Sequence, residues 1–298
     1  MRLVPALLCC ALAAWAEPLW LSETPPDSAL LKKMRNTHGG PMEMIRGKPA
    51  KRLWLREGGH LEKAVYLPFL GSAFVADPTG AIEELSGKES IVRSLEKEGF
   101  YNLFFERVQS GDNGTLHQIA KHEVLNHSCR AGHDHVQDWI DPKPTDRVVF
   151  ELIRERLGGE NFHTLIASGD EAVFTVLFKG APLAGATVKV FTQQGWQKSL
   201  TSDQNGQVRV QMIRDYYPKW SQFHKRHRES FVAAAYHTEG PKRYETTLSG
   251  SYHPGSRDYA SYGYGLLLAT IALVVTGAAV YLFRRRRCKP FKEEPLHG

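Results

Sequence analysis

Residues 173–212 read VFTVLFKGAPLAGATVKVFTQQGWQKSLTSDQNGQVRVQM. Val173–Phe178 is a short, β-branched and aromatic run of strand length. Lys179–Gly185 (KGAPLAG) supplies a turn, and Ala186–Phe191 then starts a second strand. Gln207–Met212 alternates polar and apolar residues with period two, the pattern of a half-buried antiparallel strand. Between them Asn205-Gly206 is a tight-turn pair, because both residues tolerate positive φ. Downstream, Phe231–Tyr236 (FVAAAY) reads as a last core strand.

The same punctuation continues upstream. Arg52–Arg56, Ala64–Leu67 and Phe100–Phe105 are strand candidates, separated by Arg56–Gly59, Asp77–Gly80 and Ser110–Gly114. Ser22–Met34, which includes Pro25-Pro26, suits a short helix. About 247 residues lie between the two apolar ends of the chain, too many for one small sandwich. The expected fold is therefore mainly β, with two immunoglobulin-like or transthyretin-like sandwich modules and one C-terminal transmembrane helix. Residues 17–146 form the N-terminal β-rich module and residues 147–248 the second sandwich. Residues 249–263 (SGSYHPGSRDYASYG) form a linker.

The apolar ends have different lengths and flanks. Residues 1–16 carry Arg2, a short apolar run and small residues at Ala14 and Ala16, the layout of a signal peptide cut before Glu17. Residues 264–283 carry no charge and are long enough to cross ~30 Å of hydrocarbon. Arg284–Arg287 follow at once, which predicts a basic cytoplasmic tail over 284–298 and an external N-terminal region. The net charge of +6 resolves the same way. Four Arg and two Lys against Glu293 and Glu294 put +4 in the tail, Arg2 carries +1, and +1 remains for residues 17–283. The basic balance is thus a topology signal directed at the lipid bilayer, and a nucleic-acid partner is not expected. Of the four cysteines, Cys9 and Cys10 leave with the signal, and Cys129 and Cys288 lie on opposite sides of the span. Cys129 is a lone external thiol.

Histidine is concentrated over 117–135, LHQIAKHEVLNHSCRAGHDH from Leu116. His127, Cys129, His133 and His135 form the dense part, with His122 and His117 as outer candidates. Imidazole and thiolate are good ligands for Ni, Co, Cu and Zn. His-x-Cys and His-x-His pairs share a face in extended chain, and Gly132 lets the two pairs meet. The spacing matches no zinc-finger pattern, so loop-lining His with a small buried Cys is the competing reading. His224–Arg228 (HKRHR) reads as a solvated basic loop. No phosphate loop, dinucleotide motif, oxyanion loop or paired-carboxylate arrangement is visible. No catalytic residue and no organic cofactor are therefore expected, and a thiol-dependent enzyme using Cys129 is the remote alternative. Asn113-Gly114-Thr115 and Asn126-His127-Ser128 match the glycosylation sequon, which means nothing in a bacterial chain and in a eukaryotic one would place sugars beside the His cluster.

Residues 176–212, with their strand, Gly-x-Pro-Leu-x-Gly turn, Val-rich strand and Thr-x-Asp-x-x-Gly turn, resemble the bacterial DUF4198 family. The resemblance extends over Trp54 to Tyr244, through Gly99–Leu103 and Ile119–Glu123. It implies a secreted or membrane-tethered β-sandwich linked to nickel or cobalt uptake, working beside transporter subunits rather than as an enzyme. It also implies the inner (cytoplasmic) membrane, with the N-terminal region periplasmic and the C-terminus cytoplasmic. Family members often begin the mature chain with a His near an aromatic residue. Glu17-Pro18-Leu19-Trp20 has the aromatic without the His. The alternative class is a membrane-tethered interaction or structural module in which the His are incidental.

Overall fold

The strand Glu229–Glu239 (β17) sets the layering. Phe231, Ala233 and Ala235 enter one apolar core, while Val232, Ala234 and Tyr236 enter another. A strand buried on both faces loses the polar alternation of a surface strand, which is why FVAAAY is continuously apolar. The computed structural model describes residues 17–37, 40–112, 114–127, 140–216, 227–255 and 262–287. Among these the chain is mainly β, with several sheets and one apolar C-terminal helix. The signal segment 1–16 and the tail beyond Arg287 lie outside the described residues.

An eight-stranded sheet runs in the order β15 (Gln197–Thr201), β14 (Thr187–Thr192), β17, β18 (Lys242–Tyr252), β10 (Gly114–Asn126), β9 (Gly99–Gly111), β6 (Ser72–Ala76) and β7 (Ile82–Leu85). One face packs on a four-stranded sheet of β11 (Phe150–Arg154), β12 (Glu171–Phe178), β13 (Ala181–Pro182) and β16 (Gln207–Gln211). The other packs on a six-stranded sheet of β1 (Leu19–Ser22), β2 (Arg35–Thr37), β3 (Gly40–Ile45), β4 (Lys48–Glu57), β5 (Val65–Leu67) and β8 (Ile91–Ser94). Phe74 and Phe104 stack in the first core with centroids 4.7 Å apart, and Ala73, Val75, Leu103 and Phe105 face the second. Burying each such Phe contributes roughly 1.5–3 kcal/mol.

The two stretches expected as separate modules share the eight-stranded sheet. Its β7-β6-β9-β10 half comes from the first stretch and its β18-β17-β14-β15 half from the second. They join where β10 and β18 pair in parallel, from Thr115↔Lys242 to His122↔Ser249. Residues up to His253 accordingly form one compact unit. β18 keeps the chain in the sheet as far as Tyr252, beyond the expected start of the linker at Ser249.

The turn at Asn205-Gly206 forms as expected, but only Gly206 takes positive φ, at 74°. Asp203 organises it: its Oδ1 accepts from the N–H groups of Asn205 (2.9 Å) and Gln207 (2.8 Å). The expected helix within Ser22–Met34 is shorter, α1 (Ser28–Lys33), and begins at Asp27, whose carboxylate accepts from Ala29 N–H. In the second unit, α2 (Tyr262–Arg287) contains one apolar span long enough to cross a membrane, Gly263–Arg286.

Candidate functional site

β10 decides how the expected ligands group. Successive side chains on a strand point to opposite faces, and each residue advances the chain by about 3.3 Å. Ile119 and Lys121 face the four-stranded sheet, and Ala120 and Val124 face the six-stranded sheet. His117 lies on the first face, stacked on Tyr244 with centroids 5.0 Å apart. His122 lies on the second, buried, with Nδ1 2.8 Å from Ser249 Oγ. His127 follows the last residue of the strand. The register therefore places His117 about 33 Å and His122 about 16 Å from His127 along the chain. These outer candidates cannot share one ion with His127. Cys129, His133 and His135 lie outside the described residues.

His127 has neighbours that the sequence pattern does not announce. Its ring lies 4.8 Å from that of His163, edge to face, and 5.2 Å from that of the buried Phe162. Its Nδ1 is 3.7 Å from Glu98 Oε2. Each partner is held in place. An Asx turn at Asn161 positions His163, with the N–H of His163 donating to Asn161 Oδ1 at 2.8 Å. The loop leading to Glu98 is clamped by Tyr101, whose hydroxyl accepts from Glu96 N–H and Lys97 N–H and donates to Lys97 O. Asn126 ties the end of β10 to the same loop by donating to Lys97 O at 2.9 Å, so this sequon side chain is used inside the fold. Two imidazoles and a carboxylate thus meet two residues before Cys129. Nitrogen, oxygen and thiolate donors suit late first-row divalent ions. Among the described residues, no group of three His, Cys, Asp or Glu has the geometry to hold a metal ion.

His122 belongs to a different place, a cavity of about 510 Å³ lined from β1, α1, β10, β17 and β18. Its Nε2 is 3.5 Å from Glu23 Oε1, which also receives Lys51 Nζ at 2.5 Å. Burial alone would raise the Glu23 carboxyl. The Lys51 charge and the hydrogen bond from His122 outweigh that and hold it at about 2. Burial pushes the Lys51 ammonium down, against the attraction of Glu23. Glu123 is balanced in the same way. Its burial is outweighed by Arg156, 2.7 Å away, and by Lys121, which leaves it at about 2. His227 and Arg228 also line the cavity and are half-buried. The expectation of a solvated basic loop fails for these two residues, because the strand that follows them is central to the sheet and draws them inward. His224 to Arg226 lie outside the described residues.

No protein-family model and no curated protein matches the chain. Among solved structures, similar chains include one from work on host cell surface retention of a 1.5-MDa bacterial ice-binding adhesin, at 10% identity. It covers 69% of this chain and 57% of that one, with a TM-score of 0.23. A second is a Ca²⁺-stabilised adhesin that helps an Antarctic bacterium bind ice, at 11% identity, covering 80% and 49%, with a TM-score of 0.22. A third is the BSP domain of a biofilm-associated protein, at 9% identity, covering 70% and 27%, with a TM-score of 0.21. This chain spans about half of each of the first two matched chains and about a quarter of the third. At such TM-scores the likeness carries no argument about function. The fold and the two clusters define a class only: a mainly β protein with one apolar C-terminal helix.

Proposed function

We propose that this chain is a single-pass membrane protein whose external β region binds a transition-metal ion, nickel or cobalt in first place, as an accessory component of metal uptake. The reading rests most on the meeting of His127, His163 and Glu98 at the entry to a segment that carries Cys129, His133 and His135. An ion seated there would draw on imidazole, carboxylate and thiolate donors. It would be cargo rather than a catalyst, and the chain would work beside transporter subunits in the cytoplasmic membrane as a member of the DUF4198 family. The span at Gly263–Arg286 followed by a basic tail supports tethering with the C-terminus inside. Equilibrium dialysis of the full chain in detergent tests the reading. Ni²⁺ affinity should fall at least tenfold in His127→Ala/His163→Ala and stay unchanged in His117→Ala. Wild-type protein that binds none of Ni²⁺, Co²⁺, Cu²⁺ or Zn²⁺ would overturn it.

A second reading, a tethered interaction module without metal, is favoured by the exposed edge strand β15. An open edge can accept a further strand from a partner protein.

A further inference from the structure

Four consecutive arginines, Arg284 to Arg287, close α2, and the helix runs through all of them. Helical geometry decides what they can do. Successive residues turn by about 100° and rise by about 1.5 Å, so the four positions spread over ~300° of the circumference within ~4.5 Å of axis. They make a collar of cations rather than a stripe on one face or a string along an extended tail. Arg284, Arg285 and Arg286 are exposed, and none of the three is ion-paired among the described residues. α2 itself contains no carboxylate, and the next acidic residues in the sequence are Glu293 and Glu294. The partial negative charge at a helix C-terminus, about half of one charge, offsets little of the collar.

Depth adds a second constraint. From Tyr264 to Phe283 the helix rises by ~30 Å, the thickness of a hydrocarbon core. On the membrane-spanning reading of α2, on which this inference rests, the collar therefore begins at the level of the lipid phosphates. The exposed Tyr281, three residues earlier, suits the same interface. A guanidinium offers a phosphate two parallel hydrogen bonds. A zwitterionic headgroup brings its own cation to that contact, whereas an anionic headgroup brings net negative charge. We infer that the collar binds anionic phospholipids by their phosphates, phosphatidylglycerol being the simplest, and gathers them around this end of the helix. Topology needs only an excess of cations on one side of the span. Four guanidiniums directed all round the axis within about one turn also suit a ring of headgroups, where an acidic protein would engage one side.

Retained lipid tests the inference. The full chain is reconstituted in vesicles of equal phosphatidylglycerol and phosphatidylcholine, extracted in mild detergent and washed on affinity resin, and its bound phospholipids are quantified. Phosphatidylglycerol should exceed phosphatidylcholine by about threefold or more. Arg284→Gln/Arg285→Gln/Arg286→Gln/Arg287→Gln should bring the ratio to one. Washing the wild type in about 1 M NaCl, where the screening length falls to ~3 Å, should do the same without any substitution. Equal retention of the two lipids by the wild type, or a preference that survives either treatment, would overturn the assignment. Loss of the wild type from pure phosphatidylcholine vesicles under alkaline carbonate would fail the membrane-spanning reading and this inference with it. Stable insertion with equal lipid retention would fail the inference alone. Ni²⁺ affinity should be unchanged in the four-Gln variant, which keeps the metal reading separate.

Discussion

Glu245 carries a carboxyl into the interior of β18, where its Oε1 accepts from Leu19 N–H at 3.1 Å and from Gln118 at 3.2 Å. Burial raises this carboxyl from 4.5 to about 7, against the opposing pull of those hydrogen bonds and of Arg107. The folded state thus holds a proton that the unfolded chain loses near 4.5. Stability from this group is complete below pH 4.5 and is lost as pH rises through 7. Glu245→Gln keeps the acceptor for Leu19 and has no charge to bury. Urea unfolding should show the variant gaining on wild type between pH 5 and pH 8, by roughly 3 kcal/mol at most. Parallel pH profiles would contradict this. Lys121 and Glu151 present the opposite case, a buried ion pair at 2.8 Å. Glu151→Gln strands the ammonium against Phe104 and should cost about 3–5 kcal/mol, whereas Lys121→Met/Glu151→Leu should recover most of that loss. None of these interior charges was legible in the sequence. Lys121, Glu151 and Glu245 look like surface residues until their partners arrive from 30 or more positions away.

At the scale of elements, apolar and alternating runs read correctly as strands, and the mostly polar β18 did not. Residues 173–178 and 231–236 announce β12 and β17, because burial on one or both faces selects Val, Phe and Ala. β18 (KRYETTLSGSY) stayed hidden. Its inward Thr247 and Ser249 satisfy their hydroxyls by donating to Leu19 O and Leu21 O of β1, both at 2.6 Å. A polar strand that hydrogen-bonds across a sheet interface has no apolar period to read. The pairing of β10 with β18 was unreadable for the same reason, and with it the fusion of two expected modules into one sheet. Where the hairpins β9–β10 and β17–β18 meet, Gly114 has a φ of 115°. A Cβ there would sit 1.9 Å from Pro241 O. Gly114→Ala should therefore cost at least about 2 kcal/mol, measured as a shift of the urea midpoint. An unchanged midpoint would mean that the hairpin tips are not packed as described.

For the whole molecule, the sequence separated a folded β region from one apolar helix, and the structure has that division at Pro254. The six expected ligands were close in sequence, but five residues of strand turn a neighbour to the opposite face and ten carry it about 33 Å away. His163 and Glu98, which no spacing rule links to His127, took the place of His117 and His122 beside it. On the proposed topology, full-length protein should stay with membranes after alkaline carbonate washing, and a chain ending at Gly255 should be released. Release of both forms would argue against the tether. The metal reading is tested most directly by anomalous diffraction at the nickel edge from crystals of the full chain grown with Ni²⁺. The expected result is a single strong peak within ligand distance of His127 and His163. No peak there, or a peak only at His122 and Glu23, would contradict it.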